Sequence, residues 1–143
     1  MKRYFAAMFF LLLALAACAA PTANQPANSS TSKVTVDGGS YTDVGPAALN
    51  QMLAQKNFPL INVHIPYQGE IANTDAFIPY DQIENHLDKL PADKNAKIVL
   101  YCRSGNMSTI AAKKLVGLGY TNIWNLDGGM EAWQQAGLPL IRK

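Results

Sequence analysis

The sequence predicts an α/β domain with a central, mostly parallel sheet and helices on both faces. Short apolar runs suited to buried strands, Phe58 to Ile65, Lys97 to Tyr101 and Thr121 to Leu126, alternate with stretches whose apolar residues recur at helical spacing. Strands separated by helices need crossover connections, and crossovers cover a parallel sheet on both sides. Composition agrees, since 49% of the 143 residues are hydrophobic and 15% charged, the profile of one globular domain rather than a disordered or collagen-like chain.

The elements follow in order. Val34-Thr35-Val36 leads through Asp37-Gly38-Gly39 to Tyr41-Thr42-Asp43-Val44, and Pro46 suits the first position of a helix whose Leu49, Met52 and Leu53 share a face. Phe58 to Ile65 is interrupted only by Asn62 and His64, as a buried strand would be. A long connection from Pro66 to Pro79 carries Gly69, Glu70, Asn73, Thr74 and Asp75. Ile83, Leu87 and Leu90 lie at helical spacing before Pro91, and Lys97 to Tyr101 gives the second buried strand. After Cys102 to Asn106 a helix carries Met107, Ile110, Ala111, Leu115 and Leu118 on one side and ends at Gly117 and Gly119. Thr121 to Leu126 is the third strand, Asp127-Gly128-Gly129 a turn, and Met130 to Gln135 a last helix stopped by Gly137, with Trp133 packing it onto the sheet.

The N-terminus has a different character. Lys2 and Arg3 precede an unbroken run of Ala, Leu, Met, Phe and Cys from Phe5 to Ala20. As a helix this run would rise ~24 Å, short of the ~30 Å hydrocarbon core of a bilayer, so it reads as a signal peptide rather than a span. Leu15-Ala16-Ala17-Cys18 resembles the lipobox of bacterial lipoproteins, which implies cleavage after residue 17 and a lipidated Cys18. The expected organisation is a signal peptide over 1–17, a lipid-anchored flexible linker over 18–33 and one domain over 34–143. The resemblance places the domain outside the cytoplasm, tethered to a membrane on the periplasmic side or at the cell surface. With Lys2 and Arg3 removed, the 12 basic residues fall to 10 against 10 acidic ones, and no basic run remains to track a nucleic acid.

Chemistry concentrates in Leu100-Tyr101-Cys102-Arg103-Ser104-Gly105-Asn106-Met107-Ser108. Ligand sites of open α/β sheets lie at the carboxyl ends of strands, where Cys102 falls. A loop wrapping into a helix N-terminus aims backbone N–H groups at the sulfur, which favours a thiolate and a bound anion. Gly105 permits the tight bend and Arg103 adds a fixed positive charge. A cysteine alone at a strand end is often a small buried hydrophobe, but an inert one has no use for the flanking Arg-Ser-Gly.

This loop resembles the active-site loop of rhodanese-like domains. Leu126-Asp127-Gly128-Gly129-Met130-Glu131-Ala132-Trp133 is similar to that family's Gly-Gly-x-x-Ala-Trp signature, and Leu60-Ile61-Asn62-Val63-His64 and Ile78-Pro79 fall where it has Leu-Ile-Asp-Val-Arg and Asn-Ile-Pro. The resemblance covers about Tyr41 to Leu140 and implies the family's three-layer fold. It also implies a catalytic Cys102 that takes a sulfane sulfur as a persulfide and passes it to a thiol or cyanide. Arg103, Ser104, Gly105, Asn106, Met107 and Ser108 would form the substrate-binding loop, without a cofactor. The chain departs from the family at Asn62, His64 and Met107, which stand for the usual Asp, Arg and Arg. A pocket with one guanidinium fits a polysulfide or persulfide donor better than the dianion thiosulfate, and with no second free cysteine in the mature chain the thiol acceptor is external.

Competing readings are weaker. A binding module that retains the loop for an anion or a partner protein is the rival from another class, favoured by the same three substitutions. A related phosphatase would carry an arginine six residues after the cysteine, where Ser108 stands. His64 leaves its strand at the carboxyl end and is a possible rim group, its bland alternative being an imidazole hydrogen-bonded to the adjacent loop. His64, His86 and Cys102 lack metal-ligand spacing, and Gly117-x-Gly119 ends a helix instead of opening one, unlike a dinucleotide fingerprint.

Overall fold

The computed structural model describes residues 30–141. The expected signal peptide, the lipidation at Cys18 and the linker as far as residue 29 lie outside the described residues. β1 (Thr31–Val36) and β2 (Gly39–Val44) form an antiparallel hairpin closed at Asp37-Gly38, with Thr31 opposite Val44 and Val36 opposite Gly39. The ordered strand therefore starts three residues before the domain start expected at 34, because Thr31, Ser32 and Lys33 all have partners on β2. Gly38 takes the left-handed φ of +82° that this two-residue turn needs.

Six strands make one sheet, running from β1 and β2 through β6 (Ile123–Leu126), β5 (Ile98–Tyr101) and β3 (Leu60–Asn62) to β4 (Ala76–Phe77), and every pairing except β1–β2 is parallel. The inner strands are short: β3 (Leu60–Asn62), β5 (Ile98–Tyr101) and β6 (Ile123–Leu126). β4 (Ala76–Phe77) lies inside the long connection after β3, where its two residues carry too little pattern to be seen in the sequence. α1 (Pro46–Leu53), α2 (Asn106–Gly117) and α3 (Gly129–Gln135) start at or close to the expected residues, with Pro46 at the N-terminus of α1.

Alternation along the strands divides the core into two apolar layers. Ile61, Val63, Ile98, Leu100 and Ile123 meet Ala111, Ala112 and Leu115 of α2, and Cys102 belongs to this first layer. Leu60, Val99, Tyr101 and Leu126 point the other way, where Leu49 of α1 and Met130 and Trp133 of α3 cover them. This is the three-layer α/β arrangement the sequence predicts. Trp133 is buried as expected, its Nε1 donating to the Pro139 carbonyl at 3.0 Å.

Two local expectations are corrected. The Ile83, Leu87, Leu90 spacing forms a 3₁₀ segment, Ile83–Lys89, broken at His86 (φ −128°, ψ 34°), because seven residues ahead of Pro91 leave little room for regular turns. Ile110 is 51% exposed and leaves the core face of α2 to Ala111, Ala112, Leu115 and Val116.

Candidate active site

Cys102 directly follows β5 and is 1% exposed. Its Sγ accepts the backbone N–H of Gly105 at 3.1 Å and is approached by the Ser108 hydroxyl at 3.4 Å. That hydroxyl has one proton to divide between Sγ and the Gly105 carbonyl at 3.1 Å, so it can turn toward sulfur as negative charge develops there. Gly105 has a φ of +95° and caps α2, which places both donors around one atom.

The loop is fixed from behind by α3. Its Met130 and Glu131 amides donate to the carbonyls of Cys102 and Arg103, each at 2.9 Å. Gly129, at φ +57°, makes this approach possible, since a Cβ there would lie 2.7 Å from both the carbonyl carbon and oxygen of Arg103 and closer still to the Cys102 oxygen. The second glycine of Gly128-Gly129 thus acts as a spacer between the helix and the loop.

The other expected loop residues divide by side. Ser104 and Asn106 are exposed, while Met107 is half-buried and packs against the first apolar layer, to which Cys102 belongs. Arg103 points outward, its Nε donating to Glu131 Oε1 at 2.8 Å. Positive charge near the sulfur is therefore already paired. Arg103 and Glu131 line a cavity of about 500 Å³ with Gln68, Met130, Gln134 and Leu140. Sequence reasoning missed Glu131, Gln68 and Gln134, although the position of Glu131 within the Gly-Gly-x-x-Ala-Trp signature was an available signal.

His64 is buried at the carboxyl end of β3, and neither ring nitrogen has a protein partner, so the expectation of an imidazole satisfied by the adjacent loop is corrected. The backbone explains how: the loop's nearby polar groups bind Asn62 instead. Asn62 donates through Nδ2 to the Gly69 carbonyl at 3.0 Å and accepts the His64 amide at 3.0 Å. A neutral carboxamide thus braces the turn where the family resemblance would place a charge. Asp75 in the long connection accepts the Leu60 amide at 2.7 Å and pairs with Lys56.

Tyr101 points away from Cys102 into the second layer. Its hydroxyl accepts the Ile71 N–H at 3.0 Å and shares a 2.7 Å hydrogen bond with Thr74. Burial pushes the phenol up to about 12, against the opposing effect of the Thr74 and Ile71 hydrogen bonds. Asp43 is also raised, chiefly by burial, with the 2.8 Å bond from Asn125 Nδ2 opposing the rise and Asp127 adding to it.

A mostly parallel sheet covered by helices on both faces, with a cysteine seated in a helix-capping loop at its carboxyl edge, defines an α/β protein built around a cysteine-centred loop. The model of the rhodanese-like domain matches residues 46–136, and the chain belongs to that family. An uncharacterized protein of Synechocystis is 35% identical over 102 residues, 69% of this chain and 55% of that protein. A sulfurtransferase of Allochromatium vinosum is 34% identical over 104 residues, 69% of this chain and 94% of that one. The crystal structure of a rhodanese-related protein from Thermoplasma volcanium superposes with a TM-score of 0.60 at 27% identity, covering 71% of this chain and 98% of that one. This chain spans about half the length of the Synechocystis relative. Relatives carrying the sulfurtransferase name support sulfur transfer in general.

Proposed function

We propose that the protein is a sulfane-sulfur carrier and transferase whose Cys102 alternates between thiolate and persulfide. The observation that carries this is the seat of Sγ, buried at the end of β5 with the Gly105 N–H and the Ser108 hydroxyl turned toward it. In loading, the Cys102 thiolate attacks the terminal sulfur of a persulfide or polysulfide donor. A bond forms between Sγ and that sulfur, the donor's S–S bond breaks, and its electron pair leaves on the donor thiolate. Gly105 and Ser108 offset charge on Sγ, and the Gly105 amide needs no reorganisation to do so. Discharge reverses these roles with an external thiol, because Cys102 is the one free cysteine among the described residues.

The apolar Met107 and the Arg103–Glu131 pair support a polysulfide or persulfide donor over thiosulfate, since among the described residues the one arginine is already paired to a carboxylate. Lipidation at Cys18 would hold this chemistry at a membrane, outside the cytoplasm. The 1% exposure of Cys102 favours the rival, a binding module without turnover. Intact-mass spectrometry of the purified protein after incubation with polysulfide or thiosulfate decides between them. The expected result is a gain of one sulfur atom, removable by cyanide or a thiol and absent in Cys102→Ser. A folded protein that takes up no sulfur from either donor overturns the proposal in favour of the binding module.

A further inference from the structure

The strand registers show where the chain enters the domain. Thr31 is opposite Val44, Val44 is beside Leu126, and Leu100 beside Asn125 brings Tyr101 level with Leu126. Asn62 pairs with both Tyr101 and Phe77, so one row of residues crosses all six strands at the carboxyl ends of the parallel ones. At ~4.8 Å per strand the row is about 24 Å long, with Thr31 at one end and Phe77 at the other. Cys102 follows Tyr101, three strands from Thr31 and two from Phe77. Because β1 runs antiparallel, its first residue lies where the other strands finish. Ser30 continues past the row, its carbonyl accepting the Gly45 N–H at 2.9 Å. The chain therefore enters on the same end of the sheet as the Cys102 loop.

The same end carries the exposed apolar surface. Among the described residues four large apolar side chains are exposed, Tyr67, Phe77, Ile110 and Ile141. Phe77 ends the row, and the Tyr67 ring meets it edge-on with centroids 5.7 Å apart. Ile141 bridges to Glu70, next to Gly69, whose carbonyl is bonded to Asn62 of the row. Ile110 is the fifth residue of α2, about 6 Å along the helix from its start in the Cys102 loop. Single exposed apolar residues are ordinary, but these four gather toward one end of the sheet. Charge there is balanced rather than basic, since Arg103 is paired with Glu131 and Asp127 is exposed.

We infer that this end of the domain rests on a membrane surface, with Tyr67 and Phe77 in contact on one side, the lipid on Cys18 on the other, and the Cys102 loop between them facing the bilayer. The inference rests on the lipidation at Cys18 proposed above. The twelve residues from Ala19 to Ser30 reach no more than ~43 Å in any conformation, which keeps the entry point, and with it the end of the sheet that carries the loop, close to the anchored lipid. Aromatic rings settle at the headgroup level of a bilayer without needing an anionic lipid, and the paired Arg103 offers no free guanidinium to one. Sulfur that reaches Cys102 then arrives in the layer between domain and bilayer, so the donor is released at the membrane surface rather than in bulk solution.

The test is bromine quenching of indole fluorescence in vesicles. The mature protein is reconstituted into phosphatidylcholine vesicles brominated near the headgroup, and emission is compared among the native protein, Phe77→Trp and Gln55→Trp. Gln55 is exposed just beyond α1, at the amino ends of the strands, and the native Trp124 and Trp133 supply the baseline. Emission is expected to fall in Phe77→Trp, and in the second reporter Tyr67→Trp, while Gln55→Trp stays at the baseline. Equal quenching at both ends of the sheet, or none at either in protein that floats with the vesicles, overturns the orientation and leaves the lipid tether standing. Quenching that requires phosphatidylglycerol in the vesicles overturns the apolar contact. Protein that does not float with the vesicles overturns the tether and the orientation together. Intact mass after polysulfide treatment reads the carrier function separately from all of these.

Discussion

The two sides of the Cys102 loop are built from opposite materials. On the inner side the sulfur meets one backbone amide, one hydroxyl and the apolar first layer, against which Met107 also packs. On the outer side Arg103 and Glu131 face a cavity shared with Gln68 and Gln134. The division begins in β5 and the residue after it, where Leu100 and Cys102 belong to one layer and Val99 and Tyr101 to the other. The contrast teaches that the loop surrounds the Cys102 sulfur with neutral groups and keeps its charges on the far side, where α3 supplies half of them.

Gly129 joins the two sides, so changing it has the largest expected effect. Gly129→Ala would put a methyl group against the backbone of both Cys102 and Arg103 at a φ of +57° that alanine adopts poorly. Helix and loop must then part, with loss of the two 2.9 Å bonds that hold the Cys102 and Arg103 carbonyls. The expected cost is about 3–5 kcal/mol, the range of overpacking combined with backbone strain and lost hydrogen bonds. Urea denaturation measures it, and sulfur loading of whatever folded protein remains should fall with it. A loss below ~1 kcal/mol would mean that α3 does not hold the loop.

Tyr101 offers a smaller and pH-dependent test of the outer layer. Its phenol is raised from 10.0 to about 12 in the folded chain, first by burial. Between pH 10 and 12 the unfolded chain releases a proton that the folded chain keeps, so the unfolded state binds fewer protons and stability falls as pH rises. The contribution is fully present below about pH 10 and lost by about pH 12, with an upper bound of ~2–3 kcal/mol at 1.36 kcal/mol per unit. Tyr101→Phe is expected to lose about 1–3 kcal/mol at neutral pH, because the buried Ile71 N–H loses its acceptor, and to remove this part of the alkaline slope. Denaturation midpoints at pH 8, 10 and 11 check both. Equal alkaline losses in the two proteins would place the titrating group elsewhere.

Legibility in the sequence followed the range over which each signal acts. The three inner strands and α2 were readable because alternation and helical spacing are local, and the cysteine loop because its chemistry sits in consecutive residues. β4 was not, since Ala76 and Phe77 become a strand only when Ile61 and Asn62 are beside them. Pairing also set the start of β1, where Thr31 to Lys33 look like linker until β2 is opposite. Within the site, Cys102 and the glycines of the loop and of Gly128-Gly129 were visible as motifs. The Arg103–Glu131 pair spans 28 residues and depends on how α3 lies against the loop, so the sequence showed both charges without showing that they meet. His64 failed for a related reason, since Asn62 takes the Gly69 carbonyl and the His64 amide through contacts that only the folded turn creates.

The smallest expected effect is the most direct probe of the contrast between the sides. Met107→Arg places a guanidinium on the sulfur side, at a half-buried position from which its head can reach water while its stem replaces the methionine packing. Among the described residues no carboxylate is paired with Met107's position as Glu131 is with Arg103, so the new charge is available to a dianion. Loading from thiosulfate relative to polysulfide is expected to rise ~10-fold, about 1.4 kcal/mol, with a stability change within ~1 kcal/mol. Initial rates of persulfide formation with the two donors measure the ratio. If it does not move, neutral surroundings at the sulfur are not what sets donor choice. The burial of Cys102, which admits only a slender terminal sulfur, then becomes the discriminating feature.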